Sequence, residues 1–131
     1  MERRYKLLAK YSVRNINGFN ACPLDEKETC FIPITSTDTK MYAHVYVDGT
    51  AQTGIPVRFK IENSNDPTQS VETEAFTTVA GEWEILEFDF NNEATGTAAL
   101  NTSYPFNMAS IFFNFGSVGD DQTVYYFEWY H

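Results

Sequence analysis

A chain of 131 residues is long enough for one domain with a true core, and 16% aromatic content gives a small fold a heavy apolar load. A net charge of −9 repels phosphate backbones, which disfavours nucleic acid as a partner. No apolar run reaches membrane-spanning length, which argues against a membrane helix.

The charge is unevenly spread. Residues 1–40 hold seven of the nine basic residues and five of the eighteen acids, so residues 41–131 keep only Arg58 and Lys60 against thirteen acids. Such a body suits a neutral or cationic ligand. The start, Met1 to Lys10, has the charge of a signal peptide's first part but no long apolar segment after it, so no export signal is read there. Cys22 and Cys30 would form one local disulfide in an exported protein or remain as two thiols. They are too few for zinc unless His44 or His131 joins them.

Residues 4–14 alternate. Tyr5, Leu7, Ala9, Tyr11 and Val13 share one face and Arg4, Lys6, Lys10, Ser12 and Arg14 the other, which favours a basic strand over a helix. Residues 15–28 read as loop, and Phe31-Ile-Pro-Ile34 as a short edge strand. In 40–47, Met41, Ala43, Val45 and Val47 face inward and Tyr42, His44 and Tyr46 outward, with a turn at Asp48-Gly49. The strand 56–62 buries Val57, Phe59 and Ile61 and exposes Arg58, Lys60 and Glu62. After a turn over 63–67, the strand 70–78 sets Glu72 and Glu74 on one face.

Beyond Ala80-Gly81, a strand to Phe90 buries Leu86, Phe88 and Phe90 and exposes Trp83, Glu87 and Asp89. A long loop fills 91–107. The strand 108–115 then buries Ile111, Phe113 and Phe115, leaving Ser110, Phe112 and Asn114 outward, and 123–130 ends the fold. Period-two segments separated by turn signals predict an all-β, antiparallel β-sandwich, with one domain over 1–131 and an atypical segment at 1–30.

Five segments carry a resemblance, in order: Gly54 to Glu62, Ser70 to Ala75, Trp83 to Phe90, Thr97 to Asn101, and Ser110 to Gly116 followed by Tyr125-Tyr-Phe127. Over about residues 32–128 the chain resembles a group of jelly-roll, galactose-binding-like modules attached to secreted bacterial polysaccharide-degrading enzymes and surface proteins. The resemblance implies an extracellular, non-catalytic sugar-binding or adhesive sandwich, often with a structural calcium ion. Two departures stand out. The last strand, Tyr125 to Tyr130, keeps one acid, Glu128, where the family's paired aspartates would hold calcium, and residues 1–30 match no part of the pattern. Calcium prefers six to eight oxygen ligands, so a reduced set weakens the site.

The candidate sugar platform is Tyr42, His44 and Tyr46, continued by Phe112 and Asn114 from another strand, because pyranose C–H faces stack on aromatic rings. Burial of that face under a second layer or a dimer partner is the alternative. Arg58 and Lys60 would hold a uronate or sulfate, or else pair across strands with Glu72 and Glu74, which needs no ligand. Trp83 either stacks on ligand or covers the end of the core, and Tyr104, Phe106 and Trp129 divide the same way, with packing favoured. Glu87 and Asp89 share a face, as a carboxylate pair for glycoside hydrolysis would, but the spacing to Glu93 does not fit and no nucleophile–His–acid set exists, so no catalysis is expected. The expected partner is a polysaccharide or oligosaccharide. A homodimer through an edge strand is the alternative, motivated by the atypical N-terminal segment.

Overall fold

A computed structural model describes residues 3–8, 32–119 and 122–130, with 3–8 and 128–130 taken by their backbone alone. Cys22, Cys30, His131 and most of the atypical N-terminal segment lie outside the described residues. Seven strands run in chain order: β1 (Arg3–Leu8), β2 (Lys40–Val47), β3 (Pro56–Asn63), β4 (Asp66–Phe76), β5 (Trp83–Asp89), β6 (Met108–Phe113) and β7 (Tyr125–Tyr130). They form two antiparallel sheets, ordered β1-β6-β3-β4 and β5-β2-β7.

The sheets pack face to face. Met41, Ala43 and Val45 of β2 with Leu86 and Phe88 of β5 meet Val57, Phe59 and Ile61 of β3 and Ala109, Ile111 and Phe113 of β6 in one buried cluster. Rings lock the two layers together: Phe59 lies 5.1 Å from Phe88 and 5.7 Å from Phe90, and Phe113 stacks on Tyr125 at 4.9 Å. The all-β sandwich is thus built by the alternation written in the strands, each turning every second side chain to the shared core.

Several local expectations change. The N-terminal strand is β1, Arg3–Leu8, while 9–14 lie outside the described residues. Residues 32–34 form no strand, although Ile32 and Ile34 are buried. Pro33 has no N–H to give a ladder, and the Ile34 N–H closes back on the Ile32 carbonyl at 2.9 Å. Strand β4 starts at Asp66, after a two-residue turn at Ser64-Asn65 and within the expected 63–67 turn. Glu62, expected outward and exposed, is only 3% exposed, because Lys60 bonds it at 3.0 Å and the Asn107 segment crosses beside it.

Strand β6 departs most from its expected pattern, since all six of its residues are buried. It is an inner strand, with β1 on one side and β3 on the other. Its second face is crowded as well, with Phe112 7% exposed and Ser110 only 1%. The chain leaves the strand at Asn114, whose φ of 55° is left-handed, and Phe115 then folds edge-on to Phe112 at 5.5 Å. Phe115 accordingly sits outside the core that the sequence assigned it, half-buried on the opposite side of the sheet.

Candidate functional site

The outer face of the three-stranded sheet gathers the aromatic residues. Strand β2 lies in the middle, and its register to both neighbours sets three rows across the sheet: Tyr42 beside Glu87 and Tyr130, His44 beside Ile85 and Glu128, and Tyr46 beside Trp83 and Tyr126. The inward residues of β2 are fully buried, so the outward ones are fixed by a rigid strand while staying partly accessible. Trp83, Ile85 and Tyr126 are 47%, 47% and 54% exposed.

The rings touch one another. Trp83 lies 4.9 Å from His44 and 5.6 Å from Tyr46, and Tyr46 lies 5.9 Å from Tyr126, with the planes tilted by 50°, 53° and 66°. Tyr46, Trp83 and Tyr126, with Asp48 and Val124, line a surface groove of about 420 Å³. The far end of the face is polar. Lys40 Nζ pairs with Glu87 Oε1 at 2.9 Å, and the Tyr42 hydroxyl donates to Glu87 Oε2 at 3.2 Å.

Electrostatics follow from these contacts. The Glu87 hydrogen bond, reinforced by its negative charge, raises the Lys40 pKa. Loss of solvation and then the Glu87 charge raise that of the Tyr42 phenol. Asp89 moves the other way: the Thr39 hydroxyl at 2.7 Å and the Asn91 N–H at 3.0 Å donate to its Oδ1 and hold its carboxyl below the usual range.

The remaining predicted site residues fall elsewhere. Phe112 lies on the far side of the other sheet and is 7% exposed, and Asn114 follows that strand's end with φ 55°, so neither extends the platform: β6 pairs with β1 and β3, not with β2. Arg58 and Lys60 also lie on that far side. Arg58 bonds Glu74 through Nε at 3.0 Å and through Nη2, reaches Glu72 at 3.3 Å, and stacks over the Phe115 ring at 3.7 Å. It is the cross-strand pairing, not an open anion site. Lys60 takes Glu62 rather than Glu72 or Glu74. Tyr104 packs against the core and Phe106 is buried within it, while the side chains of Glu128 and Trp129 lie outside those described.

Three contributors were missed by sequence reasoning. Tyr126 was legible from the alternation of 125–130, and Ile85 shares the parity of Trp83 and Glu87. Asp48 was read only as a turn residue, and nothing in its spacing points to the groove. Among the described residues no three acids, histidines or cysteines converge on a metal site, and the Glu128 side chain that the resemblance would give to calcium lies outside those described. No family model, curated protein or solved structure matches this chain.

Proposed function

We propose that this protein is a non-catalytic carbohydrate-binding module that takes a polysaccharide or oligosaccharide on the outer face of β5-β2-β7. The observation that supports it is the row of Tyr42, His44 and Tyr46 on one partly accessible strand, flanked by exposed Trp83 and Tyr126. Apolar sugar faces stack on such rings, and the Glu87–Lys40–Tyr42 cluster offers both donors and acceptors to hydroxyls at the polar end. The reading includes the jelly-roll, galactose-binding-like class of the resemblance and the extracellular setting that class implies.

Chemistry on the sugar is not part of this reading. A glycosidase acid needs a raised pKa, whereas Asp89 is lowered and Glu87 is occupied by Lys40 and Tyr42. Retention of the purified protein on neutral and acidic polysaccharides tests the proposal. Binding should fall at least tenfold in Tyr42→Ala and in Tyr46→Ala, roughly the loss of one good stacking contact. No retention by any polymer would sink it.

A second reading has its own observation. Ile85, an exposed aliphatic side chain beside His44 on the edge strand β5, suits protein contact better than sugar. A self-association module would use this face, because β1 already pairs along the side of β6 that an incoming edge strand would otherwise fill. Sedimentation of Ile85→Glu separates the two, since loss of a dimer there supports self-association.

A further inference from the structure

The groove at the Tyr46 end of the face has a composition that a sugar does not require. Tyr46 stands between Trp83 and Tyr126, and the tilts of 53° and 66° turn the three rings into walls rather than a flat floor. The negative faces of aromatic rings attract a cation, most strongly one whose charge is spread over methyl groups and is cheaply desolvated. A carboxylate completes the set, because Asp48 lines the same groove.

Asp48 is held in place. Its Oδ1 accepts from the Thr50 N–H at 3.1 Å and the Thr50 hydroxyl at 3.2 Å, and its own N–H donates to the Val124 carbonyl at 3.0 Å. The second carboxylate oxygen accepts from none of the described groups. Among the described residues the groove's lining holds no basic side chain, and Arg58 and Lys60, the two cations of residues 41–131, lie on the other sheet in pairs with glutamates. With a net charge of −9, the chain as a whole attracts cations rather than anions. A volume of about 420 Å³ suits a small ligand.

We propose that Tyr46, Trp83, Tyr126 and Asp48 form a binding site for a small quaternary ammonium ligand of the choline type. The trimethylammonium group lies between the rings, and Asp48 balances its charge. The hydroxyalkyl tail points along β2. This site shares Tyr46, Trp83 and Tyr126 with the glycan reading and differs from it in using the Asp48 carboxylate and a cationic ligand.

Titration of the full chain with choline chloride and with tetramethylammonium, followed by calorimetry and by the amide and indole NMR signals, tests it. The uncharged tert-butyl analogue of choline serves as the comparison. Saturable choline binding at least about tenfold tighter than that of the analogue is expected, as a charge-dependent ring interaction requires. Trp83→Ala and Asp48→Asn should each weaken choline by about fivefold or more, while Phe76→Ala, an exposed ring on the other sheet, should leave it unchanged. Thermal melts of the variants establish that they fold. Equal binding of the uncharged analogue would reduce the site to a plain apolar groove and overturn the proposal, as would no choline binding, or binding that survives both substitutions. Glycan retention with no choline binding would defeat this site alone.

Discussion

The Arg58 guanidinium lies 3.7 Å over the Phe115 ring while its nitrogens bond Glu74 and Glu72 on the neighbouring strand. One side chain thereby ties β3, β4 and the end of β6 together on the outside of the sheet. Arg58→Ala leaves two half-buried glutamates facing each other without a cation and strips the cover from Phe115. The expected cost is about 2–3 kcal/mol, below that of a fully buried pair because some solvent reaches the site. Arg58→Lys should recover part of it but not the two-partner geometry. Urea unfolding of both variants measures the difference.

Ser110 gives the opposite expectation. Its hydroxyl is buried with no hydrogen-bond partner among the described residues, so it is desolvated without return. Ser110→Ala should be neutral or stabilising by up to about 1 kcal/mol. A loss of stability above that in urea unfolding would mean that the hydroxyl has a partner after all.

Gly81 and Gly54 form a natural comparison. Both have left-handed backbones, at φ 74° and 76°, but a Cβ on Gly81 would meet the Gly49 Cα at 3.1 Å, whereas one on Gly54 meets nothing within 4 Å. Gly54→Ala should cost about 1 kcal/mol from the backbone alone. Gly81→Ala should cost about 1–2 kcal/mol more and shift the NMR signals of Asp48 and Trp83, because the two close-packed turns that carry them must separate. Thermal melts and chemical-shift maps of the pair check both statements.

Asp89 makes an acid-sensitive contribution. Its folded pKa lies below the unfolded value because Thr39 and the Asn91 N–H bond the charged form. The stability it supplies is therefore fully present above the unfolded carboxylate pKa of about 4 and is lost as pH falls through the lower folded value. In Asp89→Asn that dependence should vanish, so stability curves of the two proteins should differ above pH 4 and converge below it. Parallel curves across the range would exclude the effect.

The strands were legible because period-two alternation is enforced by the core: Met41 to Val47, Val57 to Ile61 and Leu86 to Phe88 turn inward as their spacing says. Alternation tells which residues share a face, but not which strands are neighbours. That is why Tyr42, His44 and Tyr46 were placed on one face, while Trp83 was not joined to them and Phe112 and Asn114 were attached to the wrong sheet. It is also why Phe112 and Ser110 looked exposed: parity cannot report that a strand is flanked on both sides and its second face covered. Asp48 was invisible for a third reason, since its place beside Trp83 depends on the turn that leaves β2 for the other sheet meeting a loop more than thirty residues later.

Because β2 is hydrogen-bonded along both edges, the positions of Tyr42 and Tyr46 are as fixed as marks on a ruler. Four residues of extended chain set them roughly 13 Å apart. A single sugar ring cannot reach both marks, but a short oligomer laid along the strand can. Under the proposed glycan reading, affinity should consequently rise with chain length in a step rather than a slope, with the step where the polymer first spans the two tyrosines.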